Sequence, residues 1–314
     1  MRNLLVAVLV LLCLSSIYIF IPDQIMVSEV EEVESSERII AKYLNSHENR
    51  QKWWPSSGRI LDSTDVESSV LGYEGFKFNF RNPDYNFNEV LISNNSLKTN
   101  SIITWDLSTK NLIRIRWKVS IPASYNPVTR VFQYIQAHRL KSHMALITES
   151  FLRFIVNSKN VYGIHFEREF VQDTILATSN TISTSYPKTL EVYNRINSIK
   201  KYLREQGANQ VNPAMLNISK SEQGAFQLII AVPINRIIPP VQGILINRMV
   251  PGNIVVAQIK GGPHSVAKGF NQMNLYLKDF KLVSPAMPFQ SLVTNRVEEP
   301  DSSKWITKIY YPIF

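Results

Sequence analysis

The chain has 314 residues, 45% of them hydrophobic and 19% charged, which is enough apolar material for two packed domains and excludes a disordered polymer. Its single cysteine excludes an intrachain disulfide, a thiolate metal cluster and a Cys-x-x-Cys redox pair, and none of its five histidines forms a His-Glu-x-x-His zinc motif. The formal charge of +9 raises nucleic acid, an anionic membrane face and anionic ligands as partners, but no GxGxxG or GxxxxGK[ST] phosphate loop occurs.

The N-terminus is apolar. After Met1 and Arg2, Leu4 to Pro22 form a run of about 18 residues, which as a helix approaches the ~30 Å hydrocarbon thickness of a bilayer. The run is longer than the core of a cleaved signal peptide and has no A-x-A-like exit, and Leu12 precedes Cys13 where a lipoprotein needs a small residue. Residues 1–22 are therefore expected to be an uncleaved transmembrane anchor, with a cleaved signal and a lipoprotein as the alternatives. Arg2 precedes the run and Asp23, Glu29, Glu31, Glu32, Glu34 and Glu37 follow it. The positive-inside rule then places the N-terminus in the cytoplasm. The rest would face the periplasm of a two-membrane bacterium, as a single-pass protein of the inner (cytoplasmic) membrane.

Residues 23–157 hold 16 basic and 15 acidic side chains, and residues 158–314 hold 17 and 10. The shift coincides with a polar break at Asn157-Ser158-Lys159-Asn160, which is taken as the boundary between two modules. Basic residues of the second module are scattered, apart from Lys200, Lys201 and Arg204, and an exported protein meets no chromosome. Nucleic acid is not an expected partner.

In the first module a short helix is predicted over Ser36–Asn45, capped by Ser35 or Ser36, with Ile39, Ile40, Tyr43 and Leu44 on its apolar face. It leads to Lys52-Trp53-Trp54-Pro55. Strands follow at Arg59–Asp62, Gly75–Phe80, Ser101–Leu107 and Leu112–Ile121, the last two as a hairpin around Thr109-Lys110-Asn111. In the last strand Ile113, Ile115, Trp117 and Val119 alternate with Arg114, Arg116 and Lys118, so one face is buried and one is wet. Asn126 and Pro127 then open a long helix, with Val128, Phe132, Ile135, Met144, Ile147, Phe151 and Ile155 as its apolar stripe.

This order, with the KWWP turn and the Pro127-led terminal helix, resembles the SRPBCC (START-like, polyketide-cyclase-like) helix-grip fold over roughly residues 25–157. The resemblance implies a cavity between sheet and helix for an apolar or amphipathic small molecule. Trp53 and Trp54 either line that cavity or anchor the helix as core aromatics.

The second module repeats itself. Thr174–Ile182 is a strand and Lys188–Gln206 a helix with Pro187 before it and Gly207 after it. Asn212-Pro213-Ala214-Met215 and the strand Phe226–Ile234 follow. The order recurs as strand Asn253–Lys260, turn Gly261-Gly262-Pro263, helix Ser265–Phe280, Ser284-Pro285-Ala286-Met287 and strand Trp305–Phe314. Two strand-helix-strand-strand units are predicted, paired by a pseudo-twofold into one antiparallel sheet system carrying two helices.

Lys260-Gly261-Gly262-Pro263-His264 after a strand, together with the closing Trp305-Ile306-Thr307-Lys308-Ile309-Tyr310-Tyr311-Pro312-Ile313, resembles the GyrI-like small-molecule-binding domain, the effector-binding domain of multidrug-responsive activators. The resemblance covers the whole second module. It implies a groove between the two halves that binds small organic molecules, often cations. The usual activators carry a DNA-binding helix-turn-helix in front. None is read here, so transcription control is not implied. Where the family's closing strand reads T-E-[IL]-Y-x-P, with a glutamate that meets a cationic ligand, this chain has Lys308. Alternation puts Ile306, Lys308 and Tyr310 on one strand face, and an ammonium there repels a cation. Either the ligand is neutral or anionic, or Lys308 pairs with an internal acid. Lys308 as a solvated strand residue and Tyr310 as a core aromatic are the plainer alternatives. His264 replaces a frequent family tyrosine.

His165, Glu167 and Glu169 share one strand face, compatible with a metal or acid–base site but more simply the wet face of an edge segment. His138 and His143 diverge by roughly 140° around their helix and cannot share an ion. No serine has a G-x-S-x-G setting.

These readings give an α+β protein with a transmembrane helix at 1–22, a helix-grip domain at 23–157 with an antiparallel sheet around a long C-terminal helix, and a duplicated βαββ GyrI-like domain at 158–314. The expected function is non-catalytic binding of an apolar, neutral or anionic organic molecule in one or both cavities. Lys308, Tyr310, Trp305, Trp53 and Trp54 are the expected ligand-facing residues, with no cofactor or metal. The alternatives are a hydrolase or cyclase-type enzyme acting on an apolar small molecule, and a structural or interaction module whose cavities are filled.

Overall fold

Inward apolar and outward polar side chains alternate along most of the described strands between residues 24 and 122, and these strands pair edge to edge. The structure, a computed structural model, describes residues 11–12, 14–55, 70–81, 83–109, 112–172 and 174–314. The chain divides into two compact units, Met1–Asn157 and Ser158–Phe314.

The first unit runs β1 (Gln24–Glu34), α1 (Glu37–Asn45), α2 (His47–Gln51), β2 (Val70–Tyr73), β3 (Phe76–Arg81), β4 (Phe87–Ser93), β5 (Lys98–Thr109), β6 (Leu112–Pro122) and α3 (Pro127–Val156). Its strands form one antiparallel sheet in the order β1-β6-β5-β4-β3-β2. Ile113, Ile115, Trp117 and Val119 of β6 are all buried, as their alternation requires. Ser36 caps α1 by accepting the Ile39 N–H. The strand expected at Arg59–Asp62 lies outside the described residues.

Asn126 caps α3 with its side-chain oxygen, which accepts the N–H groups of Val128 and Thr129 at 3.0 and 3.2 Å. The helix buries Ala137, Leu140, Met144, Ile147, Phe151 and Ile155. The first third of the expected stripe is displaced: Val128, Phe132 and Ile135 are 77%, 44% and 55% exposed. Arg130 takes the inward position instead. Its guanidinium donates to the Ile21 carbonyl at 3.1 Å through Nε and to the Asp23 carboxylate at 2.8 Å through Nη2, and it lies 5.0 Å from the Tyr18 ring centre.

Those bonds bear on the expected membrane anchor, which is corrected. Among the described residues no helix is long and apolar enough to cross a membrane. Residues 14–20 are helical, but Ile21 is buried in the first unit, its carbonyl is held by Arg130, and β1 begins at Gln24. The end of the apolar run is thus part of the folded unit. Residues 1–10 and Cys13 of the expected span lie outside the described residues. The transmembrane element of the fold, the membrane as a partner and the single-pass inner-membrane location all lose their basis.

The second unit runs α4 (Ser158–Tyr162), β7 (Glu167–Val171), β8 (Thr174–Ser183), α5 (Thr189–Glu205), β9 (Met215–Lys220), β10 (Phe226–Ile234), β11 (Leu245–Met249), β12 (Gly252–Lys260), α6 (Pro263–Asp279), β13 (Phe289–Leu292) and β14 (Ile306–Ile313). Its eight strands form one sheet in the order β11-β8-β10-β9-β13-β14-β12-β7. The order reads the same from both ends when β7, β8, β9 and β10 are matched with β11, β12, β13 and β14, so the two halves meet at β9 and β13. Each half carries one more strand than expected, and that first strand is exchanged. β7 pairs with β12 of the other half, and β11 pairs with β8.

α5 packs on β8 and β10, and α6 on β12 and β14. Val192, Ile196, Ile199 and Leu203 of α5 share a core with Ala177, Ile230 and Val232 of the sheet. Gly207 ends α5 at a φ of +62°, a left-handed conformation that favours glycine. Gly269 lets α6 sit close on the sheet: a Cβ there would come within 2.8 Å of Ile259 Cδ1.

Candidate functional site

Where β9 meets β13, at the centre of the sheet, the two halves of the second unit pair only briefly. β9 and β13 share only the register pairs Leu216–Gln290 and Met215–Ser291. At this seam lies a cavity of about 270 Å³. α5 contributes Thr189, Val192 and Tyr193 to its wall, and α6 contributes Pro263, Val266, Ala267 and Phe270. The sheet supplies Leu216, Asn217 and Ile218 from β9, Gln290 from β13 and Tyr311 from β14, while Tyr186, Pro187, Pro288 and Arg296 complete the lining.

The aromatic groups are fixed. Phe270 and Tyr311 meet edge to face with ring centres 5.9 Å apart. The Tyr311 hydroxyl donates to Asn274 Oδ1 at 2.8 Å. Tyr193 Oη accepts the Arg296 backbone N–H at 2.9 Å and donates to the Thr294 carbonyl at 3.1 Å. Burial pushes the phenols of Tyr193 and Tyr311 above their ordinary value.

Among the polar groups of the lining, Arg296 and Asn217 have bonding capacity left over. Arg296 Nη2 donates to Thr307 Oγ1 at 2.9 Å and Gln290 Oε1 at 3.2 Å, and its guanidinium lies 5.0 Å from the Trp305 ring centre. Among the described residues no carboxylate lies within ion-pair distance of it, and the cavity lining contains no aspartate, glutamate, histidine or cysteine. Burial lowers the Arg296 pKa from its ordinary value. Asn217 Nδ2 donates to the Pro288 carbonyl at 2.6 Å, and its Oδ1 is buried without a hydrogen-bond partner.

The five residues named from the sequence are placed apart. β14 alternates so that Thr307, Ile309, Tyr311 and Ile313 are buried, while Lys308 and Tyr310 are half-buried on its other face. Tyr311, not Tyr310, lines the seam cavity. Tyr310 stacks on Phe289 at 4.8 Å between ring centres, and burial together with the Glu169 charge raises its phenol pKa. Lys308 lies between Gln258 and Ser291 in register. Trp305 is buried behind Arg296, with its indole N–H on the Glu299 carbonyl at 2.8 Å.

In the first unit Trp53 and Trp54 are buried, with indole N–H groups on the carbonyls of Tyr43 at 3.0 Å and Gly72 at 2.8 Å. Trp53 packs on Phe151 at 4.7 Å and Trp54 on Phe78 at 5.4 Å between ring centres. The void that Trp53 borders between α3 and the sheet measures about 20 Å³, room for a single water at most. His165 and Glu167 are exposed and 3.5 Å apart. Among the described residues no cluster of three metal-ligating side chains occurs.

No protein-family description and no curated protein matches the sequence. Several solved structures are similar in part. The EcmrR C-terminal domain aligns at 13% identity and a TM-score of 0.43, covering 48% of this chain and 98% of its own. The structure of SAV2435 bound to tetraphenylphosphonium aligns at 14% identity and a TM-score of 0.32, covering 48% and 94%. A hydrolase from Listeria innocua aligns at 10% identity and a TM-score of 0.35, covering 48% and 91%.

Proposed function

We propose that the second unit is a GyrI-like small-molecule-binding module, and that its ligand occupies the seam cavity. The observation that carries this reading is the cavity itself. It sits where two duplicated halves meet, is walled by Tyr193, Phe270 and Tyr311, and contains few but fixed polar groups. Such a mixture of apolar wall and isolated polar anchors suits reversible binding of a compact organic molecule. The lining offers no nucleophile–base pair, and the role assigned is binding without turnover.

The first unit is read as an SRPBCC-like helix-grip domain, on the strength of its order of strand, two helices, five strands and a long closing helix. Among the described residues the void beside Trp53 holds at most one water, and the first unit is given no ligand role in this proposal.

Native mass spectrometry of the full chain tests the reading. A retained small molecule, or binding from a mixed metabolite extract, is the expected result. Ala267→Trp should abolish that binding, because Ala267 is an exposed cavity-lining position on α6 and an indole there would plug the opening. Binding unchanged by Ala267→Trp would place the ligand elsewhere and overturn the proposal.

A further inference from the structure

We propose that the seam cavity selects single-ring organic anions bearing both a carboxylate and a hydrogen-bond donor, with Arg296 holding the carboxylate and Asn217 accepting from the donor. The inference rests on the seam-cavity reading above and adds the chemistry of its ligand.

Three observations carry it. Arg296 spends only Nη2 on Thr307 and Gln290. Among the described residues its Nε and Nη1 donate to no group and no carboxylate pairs with it. A guanidinium partly removed from water, with Nε and Nη1 to spare, is a seat for an anion, which either nitrogen holds by a charge-assisted hydrogen bond while Nη2 stays on Thr307 and Gln290. Gln290, Thr307 and the Trp305 ring hold the head in place, so little orientational freedom is lost on binding.

Asn217 supplies the second contact. The Pro288 carbonyl can only accept, so the amide must turn its NH2 group toward it, and Oδ1 is left buried and unpaired. A buried acceptor without a donor is unfavourable; Oδ1 has almost no surface open to the cavity, so a ligand O–H or N–H reaches it by a turn of the Asn217 side chain toward the guest. The cavity volume of about 270 Å³ limits the guest to a compact molecule, and Val192, Leu216, Val266 and Phe270 offer its ring an apolar wall. The lining has no acidic side chain to hold a cation, and the second unit has 17 basic against 10 acidic residues, which favours the approach of an anion.

Isothermal titration calorimetry of the full chain with four size-matched probes tests the inference: para-hydroxybenzoate, para-hydroxybenzamide, para-hydroxybenzylammonium and benzoate. Para-hydroxybenzoate should bind about tenfold or more tighter than the amide, with the ammonium weakest. Benzoate should bind several-fold more weakly than para-hydroxybenzoate, because it leaves Asn217 unpaired. Arg296→Gln should erase the preference for carboxylate over amide, and Arg296→Lys should restore part of it. Asn217→Leu should erase the preference for the hydroxyl. The comparison among probes uses the unaltered chain, so it stands even where a variant folds poorly. An amide or ammonium that binds as tightly as the carboxylate overturns the inference, as does an Arg296→Gln chain that keeps the carboxylate preference. Should either occur while Ala267→Trp still blocks binding, the cavity reading survives and only its anion selectivity falls. Absence of binding by all four probes overturns the inference too.

Discussion

The two units bury their apolar faces by the same means, helices laid on an antiparallel sheet, yet among the described residues the first is tightly packed beside Trp53 and the second is open at its seam. In the first unit a single long helix, α3, lies against a sheet whose neighbouring strands pair over several residues each, and Trp53, Phe78, Trp117 and Phe151 pack around a void of about 20 Å³ among the described residues. In the second unit two helices belong to two halves. Each packs on the outer strands of its own half, and the joint between β9 and β13 keeps about 270 Å³. Duplication therefore creates a hollow that neither half is built to fill, whereas one continuous helix-on-sheet layer closes over itself.

The largest expected effect lies on the filled side. Trp53→Ala should destabilise the first unit by about 3–5 kcal/mol, because truncating a buried indole leaves a cavity that its neighbours cannot close. Four of the five tryptophans are Trp53, Trp54, Trp105 and Trp117, so urea unfolding followed by tryptophan fluorescence reports mainly on this unit. A loss below about 1 kcal/mol would show that the interior relaxes easily and would break the comparison. Val266→Ala, on the open side, should cost only about 1–1.5 kcal/mol, the transfer of two methyl groups. It borders an existing void, so little further cavity penalty arises.

A smaller effect concerns buried phenols, which both units hold: burial raises the phenol pKa of Tyr43 in the first unit as well. Tyr193, Tyr310 and Tyr311 of the second unit have phenol pKa values raised by burial above the ordinary 10.0. The folded state holds these protons after the unfolded chain has released its own, so the stabilisation is intact below about pH 10 and is lost as pH rises through the folded-state values. Denaturation scans above pH 10, with tyrosinate absorbance as the readout, should show the second unit losing stability steadily, and Tyr193→Phe should flatten that slope. A slope unaffected by Tyr193→Phe would contradict the burial of that phenol.

The duplication was legible because Asn212–Met215 against Ser284–Met287 and the paired closing strands repeat in type and order. The long closing helix of the first unit was legible from its cap and its length, but its first turns were not. Arg130 occupies an inward position that hydropathy assigns to Val128 or Phe132, because a guanidinium with carbonyl and carboxylate partners can be buried while a lone apolar stripe is only a tendency. β1 escaped for a related reason. Its inward phase reads Ile25, Val27, Glu29, Glu31, Val33, and two carboxylates break the alternation. Burial raises the Glu29 pKa, with the Glu31 charge adding to it.

The cavity residues were partly out of reach. Tyr310 and Tyr311 are adjacent and β14 is apolar on both faces, so period two cannot say which tyrosine meets the helices. Tertiary packing decides it in favour of Tyr311. Arg296 lies between β13 and β14, outside any regular element, and no periodic signal marks it. Asn217 carries no local signal either. Its significance comes from Pro288, which lies 71 residues further along the chain.

The crossed-over arms β7 and β11 have a consequence for the unit as a whole. A chain severed between Ile234 and Leu245 would deprive each fragment of the outer strand supplied by the other, leaving the flank of β8 or β12 bare. Neither fragment is a self-sufficient domain. Two copies of one fragment could mend both flanks by lending arms to each other, so this single polypeptide has the layout of an intertwined homodimer whose subunits have been spliced end to end.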